Sequence, residues 1–309
     1  HLGDVFDRRK YISYRIAKDF RERFVMPFSH LEVQLHMIVG NHDIYFKNTN
    51  DVNSLFELLS NRYNNIHIYQ EAQEVDFGGF PILLMPWINP QNEIYAHGMI
   101  DETRADTLMG HLEIDGFQMY AGHESKGGTP KKLFQKFDTV MSGHFHHKSD
   151  DGQIYYLGSP YEMTWSDYND PKGFHVFDTE TRELEFVPNE RTIFAKIHYN
   201  DKKTVYKDED VSQYDQKFVK LFVENRDDYY EFDKFLDRLY NDISVHDLKV
   251  VEDFSDLSVD FVSDDIVSEA QDTLSLLDKY VEDIDTNLDK GRIKTKLKSL
   301  YIEAGDIDI

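Results

Sequence analysis

The 309-residue sequence contains no cysteine, which excludes a disulfide framework and any thiolate metal site and fits a reducing compartment. No apolar run approaches the roughly 18 residues that suggest a membrane span. Positive charge is scarce: 34 Lys and Arg stand against 58 Asp and Glu, a formal net charge of 34 − 58 = −24. Phosphate binding is driven by Lys and Arg displacing counterions, so a chain this acidic does not grip nucleic acid through bulk charge. A strongly basic nucleic-acid module and a binder of anionic membrane surfaces are both excluded. An initiating methionine is also missing, and the natural start is expected upstream of His1-Leu2-Gly3-Asp4.

What is present suffices for folded cores. Hydrophobic residues make up 40% and aromatics 14%, with 22 Phe and 19 Tyr, which argues against global disorder. The length suits about two domains at roughly 150 residues each. Up to about Ser159, short apolar runs alternate with helical stretches, the mark of an α/β layered domain. Leu35 to Val39, Pro81 to Met85, Phe117 to Ala121 and Thr139 to Met141 read as strands, and Tyr11 to Phe24 and Val52 to Arg62 as helices. Beyond, Phe174 to Phe177 and Leu184 to Val187 flank a turn-like segment and read as a hairpin. Phe218 to Val223 and Leu248 to Val251 read as strands and Tyr229 to Ile243 as a helix, which together predict a small α+β domain.

The last segment has its own character. Glu252 to Asp289 holds 13 acidic residues and one lysine. Within it Val267, Ala270, Leu274, Leu277, Val281, Ile284 and Leu288 recur at 3-4 spacing, an apolar seam on an acidic helix. A second short helix follows with Ile293, Leu297, Leu300 and Ala304 in register, and Gly291 suits the turn between them. The expected boundaries are 1–159, 160–253 and 254–309.

Four short motifs stand at the ends of apolar runs: Gly3-Asp4-Val5-Phe6-Asp7, Gly40-Asn41-His42-Asp43, Gly110-His111 and Gly143-His144-Phe145-His146. Loops at strand C-termini are where α/β folds place their sites. Asp, Asn and His offer oxygen and nitrogen donors without sulfur, which suits manganese, iron or zinc. Two such ions roughly 3.5–4 Å apart can clamp a phosphate and activate water. Gly122-His123 also follows an apolar run, so His123 rivals His111 as a ligand.

This motif order resembles the calcineurin-like metallophosphoesterases. With Gly110-His111-Leu112-Glu113 before and Tyr155-Tyr156-Leu157-Gly158-Ser159-Pro160 after Gly-His-x-His, it is most similar to the SbcD-type DNA repair nucleases. Within these it resembles the recombination endonuclease subunits of T-even-like phages, over nearly the whole chain. The resemblance implies a β-sandwich flanked by helices, a small α+β capping domain that helps select DNA, and C-terminal helices. Two divalent metal ions, manganese by family, are implied. Asp4 would bridge them, Asn41, His111 and His144 would hold one, and His146 would complete the other; family spacing favours His111 over His123. His42 would be the catalytic histidine and Asp43 would orient it. The family opens with an Asp-x-His motif that this sequence lacks before Asp4.

Arg8, Arg9 and Lys10 follow the Asp4 loop, Lys126, Lys131 and Lys132 sit around Gly127-Gly128, and Lys148 follows Gly-His-x-His. Solvated charge is the bland reading; their placement beside metal motifs makes them candidates for DNA phosphate contact. By resemblance the chain acts in the cytoplasm (the host's if phage-encoded). It would pair through helices such as Tyr11 to Phe24 and dock an SbcC-type SMC ATPase through Val267, Leu274, Leu277, Val281, Ile284, Leu297 and Leu300. Two alternatives stay open: a phosphatase of small or protein phosphoesters, or a non-catalytic scaffold with a decayed site. Charged residues introduced at Leu274 and Leu277 should abolish co-purification of the ATPase without unfolding the nuclease domain; retained binding would make the seam an internal packing surface.

Overall fold

The computed structural model describes residues 1–252 except Asn61, Ala121, Gly122 and Lys126, and beyond them only Val281, Lys290, Gly291, Ile293, Lys294 and Lys296. Of the seam residues, Val267, Leu274, Leu277, Ile284, Leu297 and Leu300 lie outside the described residues, whereas Val281 is helical and fully buried. Gly291 is helical, so it does not form the expected turn. No helix among the described residues is long and apolar enough to cross a membrane. The chain divides into two compact units, His1–Met163 with Asn169–Thr192, and Thr164–Tyr168 with the chain from Ile193 onward.

The first unit opens with α1 (Tyr14–Phe20), capped by Ser13, whose side chain accepts from Ile16 N–H. A π-helical turn, Arg21–Val25, and α2 (Met26–Ser29) follow, so the helix expected over Tyr11 to Phe24 is broken into three pieces. In chain order come β1 (Leu35–Ile38), α3 (Ser54–Leu59), β2 (Ile66–Tyr69), β3 (Gln73–Asp76), β4 (Pro81–Met85), α4 (Glu93–Glu102), β5 (Thr107–Gly110), β6 (Gln118–Tyr120), β7 (His123–Glu124), β8 (Thr139–Ser142), β9 (Ser149–Asp150), β10 (Ile154–Tyr156), β11 (Gly173–Phe177) and β12 (Leu184–Pro188). The main sheet runs β3-β4-β5-β8-β10-β9, parallel in its centre with an antiparallel strand at each edge, while β1 and β2 form a separate parallel pair. The β11–β12 hairpin, read from the sequence with the second segment, belongs to the first unit.

The alternation along β4 explains the layers. Leu83 and Met85 enter a core that includes Ala96 and Ile100 of α4, whereas Ile82 and Leu84 face Ile38 of β1, Tyr69 of β2 and Val75 of β3. The other face of the β1–β2 pair, with Met37 and Ile66, packs on Val25, Leu55 and Leu59 from the helices. The result is helix, sheet, sheet, helix: an α/β sandwich of mixed sheets flanked by helices.

Parallel register lines up the strand ends that carry the motifs. Met85, Gly110 and Ser142 are partners in successive pairs. The ladder continues past the strands: Trp87 N–H donates to Val39 O (2.8 Å), His111 N–H to Met85 O (2.9 Å) and Gly143 N–H to Gly110 O (2.9 Å).

In the second unit β13 (Phe194–Asn200), β14 (Phe218–Asn225) and β15 (Asp247–Val251) form a parallel sheet. Helix α5 (Tyr229–Asn241) covers one face, placing Phe232, Phe235 and Leu239 on Ile197, Tyr199 and Leu221. Asp228 caps it by accepting from Tyr230 and Glu231 N–H. The opposite face carries an in-register row, Lys196, Lys220 and Lys249. Like charges on adjacent strands are costly. Aromatic faces offset part of that cost, with Lys220 Nζ 4.4 Å from the Trp165 ring centre and Lys196 Nζ 4.5 Å from that of Tyr168. Burial, then repulsion from Lys220, pushes the Lys196 ammonium below the usual lysine range.

Phe235 is buried against Tyr199 and Tyr206. Phe235→Ala should therefore destabilise the second unit by about 3–5 kcal/mol. In urea melts followed by domain-specific probes, the transition of the first unit should stay in place.

Candidate metal centre

Each ligand-bearing loop owes its position to close backbone packing. Gly3 has φ +86°, and a Cβ there would collide with the His111 ring and lie 2.8 Å from Gly40 Cα. A Cβ on Gly40 would overlap the Asp4 backbone and carboxylate, and one on Gly143 would overlap the Leu2 carbonyl. The glycines thus let three motif loops touch main chain to main chain. Two motif residues themselves occupy the left-handed region, Asp4 with φ 55° and His144 with φ 80°. Such conformations cost non-glycine residues about 1–2 kcal/mol each and persist only where surroundings impose them.

Asp43 imposes one of them. Its carboxylate is 1% exposed and accepts from four backbone amides. Oδ2 takes Asp4 N–H (2.8 Å) and Gly40 N–H (2.9 Å), and Oδ1 takes Val5 N–H (3.0 Å) and Phe6 N–H (3.3 Å). This corrects the expected role of Asp43. Its oxygens are committed to the Asp4 loop, and the His42 ring is held instead by Asp7, with Nδ1 2.6 Å from that carbonyl oxygen. Burial, then the charge of Asp4, pushes the Asp43 carboxyl up to about 6.

The loops bring Asp4, His111 and His144 together, with one ligand atom from each within 4.8 Å of the others. His111 Nε2 lies 3.1 Å from Asp4 Oδ2, and its Nδ1 lies 2.7 Å from Leu2 O, which fixes Nδ1 as the donor. The other Asp4 oxygen accepts from His42 N–H at 2.7 Å. Asn41 sits between the rings: with its oxygen inward, Oδ1 is 2.8 Å from His111 Nε2 and 3.1 Å from His144 Nδ1. Turned over, its NH₂ donates to both rings and to Asp4 Oδ2 (3.1 Å), and its oxygen accepts from Arg9 Nη2 at 3.2 Å. The inward oxygen suits a cation or a protonated His111 Nε2, and the inward NH₂ suits neutral ring nitrogens and the Asp4 carboxylate. This donor set of carboxylate, amide and two imidazoles fits a hard-to-borderline divalent ion.

The charges respond to one another. Burial alone would raise the Asp4 carboxyl, but the charge and hydrogen bond of His111, with those of His42, hold it well below the usual range. Burial alone would lower His111, but Asp4 and the Leu2 carbonyl hold it above the ordinary histidine range. Burial and then the His111 charge push His144 well down, so its ring is neutral and ready to ligate.

The other candidates are placed as follows. His146 is half-buried and is not one of the three residues that converge, and its carbonyl accepts from Lys172 Nζ (2.7 Å) and Ser159 N–H (3.1 Å). His123 lies on β7, and it is His111 that the cluster contains. Arg9 reaches Asn41. Arg8 stacks on Tyr11 at 5.3 Å, and Lys10 and Lys132 are exposed. Lys131 pairs with Asp151 (3.0 Å), Lys148 Nζ lies 5.3 Å from the Phe186 ring centre, and Lys126 is outside the described residues.

Sequence reasoning missed Lys172 and Asp170. Lys172 is buried and bonds Asp170 (2.8 Å) as well as His146, and Asp170 also meets His147 Nδ1 (2.8 Å), bracing the Gly-His-x-His loop. The available signal was Asp170-Pro171-Lys172-Gly173, charged residues at a turn beside a strand start.

A sandwich of this kind with Asp, Asn and His donors at its strand ends is a metallophosphoesterase architecture, and the calcineurin-like phosphoesterase family model matches residues 1–148. The chain belongs to that family, whose members use divalent metals. It is 37% identical over 310 residues to exonuclease subunit 1 of Enterobacteria phage T4, covering 98% of this chain and 86% of that one. Two staphylococcal proteins, each named as the SbcD component of an SbcCD nuclease, are more distant. That of Staphylococcus saprophyticus is 26% identical over 192 residues (51% of this chain, 49% of the relative). That of Staphylococcus epidermidis is 27% identical over 221 residues (60% and 57%).

Asp43→Asn replaces one of the two acceptor oxygens by an NH₂, so two of the four amides lose their acceptor and face a donor. It should cost roughly 1–3 kcal/mol and lower divalent-metal affinity, read by denaturation and calorimetry; wild-type values for both would show that Asp43 does not hold the Asp4 loop.

Proposed function

We propose that the chain is the manganese-dependent nuclease subunit of a DNA end-processing and recombination complex. It would hydrolyse phosphodiester bonds as a duplex exonuclease and single-strand endonuclease. The reading rests on one observation: the Asp4, Asn41, His111 and His144 cluster lies at the strand ends of a chain similar, over nearly its full length, to a phage exonuclease subunit. Bound at these residues and His146, two divalent ions would supply charge neutralisation and water activation.

The chain's own groups supply the rest. With Nδ1–H held by the Asp7 carbonyl, His42 Nε2 is left to carry the proton that the leaving oxygen needs. Arg9 stands at the rim of the cluster, where its guanidinium can bind a non-bridging phosphate oxygen. Arg8, Lys10, Lys132 and Lys148 are candidates for neighbouring phosphates. Because the net charge is −24, these contacts position DNA and an SbcC-type ATPase partner supplies most of the grip, docked on the C-terminal helices. An apolar surface on the α1–α2 segment, with Tyr14 96% exposed and Ile16, Phe24 and Met26 also exposed, supports pairing of two copies there.

His42→Ala should lower DNA cleavage roughly 10²–10⁴-fold with metal content unchanged; loss of the metals together with activity would contradict its role. Linear duplex, single-stranded DNA and p-nitrophenyl phosphate should be compared with Mn²⁺. Activity confined to the monoester would overturn the nuclease reading in favour of a phosphatase.

A further inference from the structure

Two features of the first unit have no part in this chemistry: a half-buried indole against the candidate ligand rings and a cluster of buried amides behind it. Trp87 follows β4 directly. Its ring centre lies 5.2 Å from that of His144, tilted by 45°, and 5.9 Å from that of His111, edge-on at 70°. The two imidazoles are 5.1 Å apart. The indole therefore packs against both ligand rings at once and limits rotation of each about its own axis.

The Trp87 main chain is held at every polar atom. Its N–H donates to Val39 O at 2.8 Å, and its carbonyl accepts from Asn50 Nδ2 (2.9 Å) and Asn92 Nδ2 (3.0 Å), which uses both lone pairs. Asn89 ties the two asparagines together, its Nδ2 donating to Asn50 Oδ1 (2.8 Å) and its N–H to Asn92 Oδ1 (2.8 Å). Asn50 Nδ2 also donates to Gln70 O at 3.0 Å. These asparagines are 2%, 4% and 7% exposed for Asn50, Asn89 and Asn92. Buried amides are costly unless satisfied, and a satisfied network of them is rigid. The three come from the segment after Gly-Asn-His-Asp, from the end of β4 and from the cap of α4, and two of them meet on the Trp87 carbonyl.

We propose that Trp87 is a positioning residue that keeps the His111 and His144 rings in ligating orientation, and that the Asn50, Asn89 and Asn92 network sets Trp87. Partners that orient metal-bound imidazoles contribute about as much to metal affinity as mutation of such shells usually removes, roughly 10–100-fold. The inference rests on the metal-binding reading of the cluster.

These 309 residues contain two tryptophans, so Trp165→Phe in this chain leaves Trp87 as its one indole. In that background Mn²⁺, a paramagnetic quencher, should quench emission saturably, with a midpoint matching the calorimetric Kd. Trp87→Ala and Asn50→Ala should each weaken Mn²⁺ binding by roughly 10–100-fold, and Trp87→Phe should restore most of it. Trp87 emission that saturating Mn²⁺ leaves unchanged, or wild-type Mn²⁺ affinity in folded Trp87→Ala, would overturn the inference. No Mn²⁺ binding by the wild-type protein would instead overturn the metal reading on which it rests. If Trp87→Ala does not fold, Asn50→Ala carries the test, and wild-type Mn²⁺ affinity in that folded variant would overturn the inference.

Discussion

One buried carboxylate carries the geometry of the site. Asp43 collects four amides from two loops that are remote in sequence, and thereby holds Asp4 in a left-handed conformation that its own side chain disfavours. Without that anchor, the Asp4 oxygens would have no fixed place opposite His111 and His42. Satisfying four donors with one anion is an economical use of a buried charge, and it explains a carboxyl pushed upward by burial yet retained in the core.

The sheet supplies the second constraint. In a parallel sheet the strand C-termini share one edge, and register sets each loop against the next. The pairing of Met85, Gly110 and Ser142 places Trp87, His111 and His144 on adjacent steps. Side chains that must converge within a few ångströms are therefore held by backbone ladders, which are stiff, and glycines allow those ladders to approach.

The −24 charge is distributed in parts with different jobs. Thirteen acids lie from Glu252 to Asp289, while Asp4 lies against His111 and Asp43 holds the Asp4 loop. Positive charge is concentrated in the same way: Arg9 at the cluster rim, Lys172 behind the Gly-His-x-His loop, and the Lys196, Lys220 and Lys249 row on the second sheet.

Much was legible in the amino-acid order. Strands β4 and β8 and helix α5 stand close to where apolar runs and their spacing put them, because periodicity is a local property. The four glycine-led motifs named Asp4, Asn41, His111 and His144, since metal chemistry restricts donor types and strand ends restrict their position. Strand β13 was missed although Ala195, Ile197 and Tyr199 alternate with Lys196, His198 and Asn200, whereas the break of the first helix into α, π and α pieces carries no distinctive local pattern. The tertiary structure alone turned Asp43 from His42 to the backbone amides and drew Trp87, Lys172 and three asparagines around the candidate site. Those choices depend on contacts between residues tens of positions apart. Sequence alone determined which atoms were available to hold a metal, and only folding decided which of them meet and what keeps them there.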